Sequence, residues 1–171
     1  MNYPKVYENF PINFVLGSTI LTLVIYLIGT YIVFLIGAIW LILYIIFILI
    51  LELRLMKLSC THCFYYGKLC AFGKGRLSSI FFKKGSPEKF IEKQINWKDI
   101  LPDFLVSIIP LAIGTVLLII EFDWMFLILV IILFILAFPV NGFLRGSLAC
   151  KYCKQREIGC PAEQLFNKKK S

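Results

Sequence analysis

Residues 11–51 hold no charged side chain, and residues 99–140 form a second apolar block interrupted only by Asp99, Asp103, Glu121 and Asp123. Each block is about 40 residues long, enough for two membrane spans of roughly 20 residues each. A soluble domain of 171 residues has no interior large enough to hide a chain that is 60% hydrophobic with a mean hydropathy of +0.85. The pattern predicts an all-α membrane protein with four transmembrane helices, built as two tandem hairpins.

In chain order, Pro11 suits a helix start, residues 13–30 read as the first span and residues 31–51 as the second, with the external turn at Gly29-Thr30-Tyr31. The third span covers residues 99–120, where Pro110 predicts a kink and Gly114, one turn on, relieves it. Glu121-Phe122-Asp123-Trp124 makes an acidic external turn. The fourth span covers residues 125–140 and runs on through Asn141 and Gly142 to Cys150, with Gly142-x3-Gly146 as a small-residue helix contact. Ser18, Thr19, Thr22, Tyr26 and Tyr44 are polar types that join helices or bond to backbone. With no ionisable group beside them in the first two spans, they define no path for ions or protons.

Charge sets the orientation. Ten basic residues lie in 54–98 and seven in 145–170, and none lies at either hairpin tip. Basic segments stay on the cytosolic side of a membrane. The chain is therefore expected in the cytoplasmic membrane with both termini, the central loop and all six cysteines in the cytosol. Its bases then face anionic lipid headgroups, which accounts for the net charge of +8 without a nucleic-acid partner. The first ten residues carry one base, Lys5, and no A-x-A site follows, so no secretory signal peptide is expected.

The cysteines repeat. Cys60, Cys63 and Cys70 follow the first hairpin, and Cys150, Cys153 and Cys160 follow the second, both as C-x2-C-x6-C and ninety positions apart. Under that shift Phe14 falls on Phe104, and Pro11 lands one place from Pro102. An internal duplication accounts for this, with a first repeat at 1–70, a basic linker at 71–98, a second repeat at 99–160 and a basic tail at 161–171. Parallel repeats with even numbers of spans are related by an axis along the membrane normal, which brings the two cysteine segments together. The second span is expected to continue as a helix to Cys60, placing Cys60 and Cys63 on one face, with Gly67 as its stop. Within the linker, Gly73, Gly75 and Gly85 keep the first part irregular. Ser86-Pro87-Glu88 then opens an interfacial helix with Phe90, Ile91, Ile95 and Trp97 on the bilayer and Lys89, Lys93 and Lys98 near phosphates. Contact with other membrane subunits, or with a second copy, is the alternative use of that helix.

Six clustered thiols in a reducing compartment point to metal rather than to disulfides. Tetrahedral zinc takes four ligands, and one segment offers three sulfurs. His62 has Tyr152 at the equivalent place, so it is read as a donor to a coordinating thiolate rather than as a ligand. Pooling Cys60, Cys63, Cys70, Cys150, Cys153 and Cys160 supplies two zinc ions if two thiolates bridge, or one iron–sulfur cluster with two thiols spare. Zinc is preferred because C-x6-C is not a usual cluster spacing. Lys68, Lys151, Lys154 and Arg156 either offset the thiolate charge or simply belong to the positive cytosolic face. The doubled C-x2-C-x6-C resembles the six-cysteine binuclear zinc cluster of fungal transcription factors. That resemblance implies bridging by Cys60 and Cys150, with the other four cysteines terminal. It covers about twenty residues and lends coordination geometry alone, since a membrane hairpin stands where that family has a short loop.

The expected function is a non-enzymatic membrane metal protein, an accessory, assembly or scaffold subunit whose cysteines form one shared site. An iron–sulfur electron-transfer subunit is the alternative, and a membrane thiol–disulfide oxidoreductase a lower one. There is no Ser/His/Asp set, paired carboxylate site or phosphate loop to support catalysis.

Overall fold

The computed structural model describes residues 6–91 and 97–160, and among them no β-strand occurs. The elements run α1 (Ile12–Phe34), α2 (Ala38–Leu58), a 3-10 turn at Cys60–His62, α3 (Lys74–Phe81), α4 (Pro87–Ile91), α5 (Trp97–Ile120), α6 (Trp124–Ile135), α7 (Asn141–Phe143) and α8 (Lys154–Ile158). Four stretches are long and apolar enough to cross a membrane: Ile12–Phe34, Ala38–His62, Leu101–Ile120 and Trp124–Cys150. Their outward faces carry exposed Ile20, Leu27, Ile39, Ile119 and Phe134, as lipid contact requires.

The turn between the first two spans lies at residues 35–37, not at Gly29-Thr30-Tyr31. Gly37 has φ +144°, a conformation that only glycine adopts at little cost, and it breaks the run between α1 and α2. Gly29 instead sits buried inside α1, where an added Cβ would meet Tyr44 Oη at 2.6 Å and Pro110 Cγ at 3.2 Å. Its smallness brings three spans together.

Proline explains that contact. Pro110 lacks an N–H, so the carbonyl of Val106 has no partner in its own helix. The hydroxyl of Tyr44, from α2, donates to that carbonyl at 2.6 Å. A backbone group that lipid could not satisfy is thereby satisfied across helices. Gly114, expected to ease a kink, has a packing role: an added Cβ would stand 2.8 Å from Val130 Cγ2 of α6. Gly142 and Gly146 have nothing within 4 Å of that position, so the expected small-residue contact does not form between described residues.

At the turn between α5 and α6, the carboxylate of Asp123 caps α6 by accepting from the N–H groups of Met125 and Phe126, both at 3.2 Å. Beyond α6 the fourth span becomes π-helical over Leu136–Val140, which contains Pro139, and again over Leu144–Cys150. Among the described residues the apolar interior has two clusters within the spans. One is centred on Ile32 and Leu133, the other on Val33, Tyr44, Ile48 and Val106.

Two further expectations change. The helix before Cys60 stops at Leu58, and Cys63 is extended (φ −81°, ψ 152°), so the first cysteine pair sits on a turn rather than on a helix face. The start of the linker is not irregular: α3 forms there, with Gly75 and Ser78 turned inward and Leu77, Ile80 and Phe81 exposed. Helix α4 begins at Pro87 as expected from the Ser86-Pro87-Glu88 pattern. Residues 92–96 of the anticipated interfacial helix, the tail at 161–171 and residues 1–5 lie outside the described residues.

Candidate functional site

The two cysteine segments meet at one end of the bundle. A cluster of buried Phe10, Val15, Tyr65, Ala71 and Ala149 joins them, with Cys63, Cys70, Cys153 and Tyr152 packed against it. The amino-terminal segment runs through this junction as a strap. The N–H of Tyr7 donates to the carbonyl of Tyr152 at 3.0 Å, and Tyr7 forms an isolated parallel bridge with Cys153. On its other side the N–H of Phe10 donates to the carbonyl of Leu69 at 2.9 Å, and Asn9 Oδ1 accepts from the N–H of Leu69 at 3.3 Å. Sequence reasoning took residues 1–10 as a polar lead and missed this role. The signal available was the aromatic spacing of Tyr7, Phe10 and Phe14, whose rings stack in series at 5.5 and 5.4 Å.

The two C-x2-C turns have the same backbone form. In the first, the N–H of Cys63 donates to the carbonyl of Cys60 (3.4 Å), and the N–H of Tyr66 to that of Cys63 (3.0 Å). In the second, Cys153 donates to Cys150 (3.3 Å) and Arg156 to Cys153 (3.1 Å). In each turn the second cysteine is extended, and the N–H two residues further on points at its sulfur, from Tyr65 to Cys63 and from Gln155 to Cys153. Cys70 receives an equivalent bond from the N–H of Gly75 at 3.2 Å. Gly75 must be glycine for this, because an added Cβ would lie 2.2 Å from the Tyr65 carbonyl oxygen.

Across the junction the turns bond to one another reciprocally. Gln155 Oε1 accepts from the N–H of Phe64 at 2.7 Å, and Tyr65 Oη accepts from the N–H of Lys154 at 2.9 Å. Tyr65 and Gln155 each follow the second cysteine of their turn by two residues, and Phe64 and Lys154 each follow it by one. The Tyr65 hydroxyl donates its own proton to the carbonyl of Tyr7, and the Gln155 amide donates to the carbonyl of Gly159 at 2.9 Å. Both side chains are buried, at 2% and 3% exposure.

This arrangement places sulfurs of both segments within electrostatic reach. Burial pushes the Cys63 thiol up to about 12; the Tyr65 N–H opposes the rise, and neighbouring Cys60, Cys70 and Cys160 add to it. Burial likewise pushes Cys153 up to about 12, opposed by the Gln155 N–H and reinforced by Cys63, Cys160 and Cys150. None of the six cysteines is joined in a disulfide; Cys150 is exposed and the others are half-buried. Among the described residues, no three His, Cys, Asp or Glu side chains stand where they could hold a metal ion as they are.

His62 turns toward the linker. Its Nδ1 lies 2.8 Å from the Thr61 hydroxyl, and its imidazole packs on Gly85, whose N–H donates to the Thr61 carbonyl at 3.0 Å. The nearby bases engage other groups. Lys68 lies over the Phe64 ring (4.1 Å), Lys151 over Tyr152 (5.6 Å), and Lys154 pairs with Glu157 (2.5 Å). Comparison with protein families, with characterised proteins and with solved structures returns no match for this chain.

Proposed function

We propose that this is an integral membrane protein whose six cysteines form one shared metal site on the cytosolic side, in two duplicated halves, and that it serves as an accessory, assembly or scaffold subunit of a membrane complex. The observation that carries the reading is the reciprocal bonding of Tyr65 and Gln155, which brings Cys63 and Cys153 together from distant parts of the chain. The matched C-x2-C turns support the duplication.

The donor set fits a soft cation. Cys60, Cys63, Cys70, Cys150, Cys153 and Cys160 would hold it, and backbone N–H groups from Tyr65, Gly75 and Gln155 already face three of the sulfurs. Such bonds stabilise thiolates and tune a bound metal. Without a cation, the raised thiols Cys63 and Cys153 stay protonated at neutral pH. A bound metal supplies the positive charge that lets them ionise and so clamps the two hairpins together. Zinc is the first choice, as two ions bridged by Cys60 and Cys150. The N–H bonds to sulfur also favour a second reading, an iron–sulfur cluster passing electrons beside the membrane. Thiol–disulfide exchange is the weakest reading, because reactive thiols need depressed pKa values and Cys63 and Cys153 are raised.

Elemental analysis of the full chain purified without oxygen tests this. About two zinc per chain in a colourless protein, lost on combining C63S with C153S, is expected. About four iron with labile sulfide and a brown colour selects the electron-transfer reading. A chain free of metal after anaerobic purification overturns both.

A further inference from the structure

Near the cysteine end, a cavity of about 60 Å³ opens between the helices, lined by residues of α1, α2, α3, α5 and the fourth span. Its floor is charged. Lys74 Nζ lies 2.8 and 2.7 Å from the two carboxylate oxygens of Glu52, and the Tyr26 hydroxyl donates to the same carboxylate at 2.5 Å. Sequence reasoning placed Glu52 among the headgroups, but it turns inward and binds this pair. Asp103 and Arg145 are exposed at the mouth, beside half-buried Ser107 and Asn141. Arg145 Nε donates to Asn141 Oδ1 at 3.1 Å, and its guanidinium stands 5.0 Å from the Phe72 ring.

Ionisable side chains gathered inside a helical membrane bundle mark functional sites as a rule. Glu52 and Lys74 satisfy each other, which leaves Asp103 and Arg145 among the residues lining the rim, with Arg54 also within electrostatic reach of Asp103. The volume is far below the several hundred Å³ of a pocket for a whole drug-sized ligand, so only a small polar group enters. From the rim an apolar track leads away along the fourth span. Phe134 and Phe138 are neighbours along this span through their ring contact, and Asn141 and Arg145 are neighbours through a hydrogen bond. Phe138 stacks on Phe104 of α5 at 6.2 Å and meets Phe134 at 5.3 Å, and both Phe104 and Phe134 are exposed. Asp103 lies two residues inside one candidate span and Arg145 five residues from the end of another. Both therefore lie toward the ends of candidate spans, where headgroups meet acyl chains.

We infer that the Asp103–Arg145 mouth binds a membrane phospholipid whose headgroup carries a cationic amine, with the amine at Asp103, the phosphate at Arg145 and one acyl chain along Phe104, Phe138 and Phe134. Paired opposite charges at the rim select a zwitterionic headgroup over a purely anionic one, and the aromatic track selects a lipid over a soluble phosphate ester. The site is independent of the proposed metal centre.

The test uses the full-length protein, delipidated in detergent, with lipid retention read by native mass spectrometry and thermal shift. Phosphatidylethanolamine is expected to be retained and to raise the melting temperature, with phosphatidylglycerol, diacylglycerol and soluble phosphoethanolamine each at least about tenfold weaker. D103N should abolish the preference for phosphatidylethanolamine over phosphatidylglycerol, and R145Q should weaken both, each with unchanged helical circular dichroism and metal content. Equal retention of phosphatidylethanolamine and diacylglycerol, an equal effect of soluble phosphoethanolamine, or a preference that survives in D103N would overturn the inference. If either variant loses its helical signal, competition between the two phospholipids on the wild-type protein decides it, and absence of preference refutes it.

Discussion

Tyr65 and Gln155, ninety positions apart, each accept a hydrogen bond from the backbone N–H that precedes the other: Tyr65 from Lys154, Gln155 from Phe64. Neither side chain is conventional zinc-site chemistry. Each supplies an oxygen acceptor to a backbone N–H of the opposite turn. An unmatched buried N–H costs about 1–3 kcal/mol. Y65F and Q155A are each expected to lower stability by about that much, measured by denaturant titration in detergent. Because the two bonds close one junction, the double variant should cost less than the sum of the singles. Full additivity would mean that the turns do not act as a unit.

The Tyr44–Val106 bond makes a separate prediction in the spans. Removing the hydroxyl in Y44F leaves the Val106 carbonyl unsatisfied where Pro110 already denies it a partner. A loss of about 1–3 kcal/mol is expected, read as a lowered unfolding midpoint. G29A should be at least as harmful, since its methyl would collide with the same Tyr44 hydroxyl.

Glycines divide sharply. G75A forces a Cβ to within 2.2 Å of a carbonyl oxygen and displaces the N–H that faces Cys70, so it should disrupt the cysteine end, with metal content falling alongside stability. G142A and G146A meet nothing within 4 Å and replace helical glycine. Each is expected to be neutral or to stabilise by about 0.5–1 kcal/mol. Comparing the three in one thermal-shift series checks both statements.

The buried thiols give a pH signature. Cys63 and Cys153 move from an ordinary 9.0 to about 12 in the folded chain. Between those values the unfolded state loses protons that the folded state keeps. The metal-free protein is therefore fully supported by these groups below pH 9 and loses that support as pH rises toward 12. Metal binding at neutral pH should release one proton for each thiol that becomes a ligand, measurable with a pH indicator in weak buffer. Uptake of zinc without proton release would show that the thiols are not its ligands.

Hydropathy made the four spans legible, because residues 11–51 and 99–140 have no other way to be buried. The turn at residues 121–124 also read correctly as the break between the last two spans, and there the Asp123 side chain caps α6. The first tip did not, since Gly29-Thr30 looks like a turn, whereas glycine inside a span serves close packing as readily as it breaks a helix. Gly37, in an equally apolar setting, took the turn through its positive φ. Helix α3 was hidden for a related reason: Gly73 and Gly75 read as breakers, yet one lies in the left-handed region just before the helix and the other lets its first turn touch the 65–68 backbone. The cysteine spacing named the candidate ligands. It could not expose Tyr65 and Gln155, whose roles arise from contacts across the junction. Glu52 was misplaced because its partner, Lys74, lies 22 residues on and beyond the first cysteine segment.

The strap formed by Tyr7 and Phe10 bears on biogenesis. A ribosome makes these residues well before one of their partners, Tyr152. The strap can close on that partner only once all four long apolar helices have been made, so the thiol junction forms late, and a chain truncated before residue 150 cannot complete it.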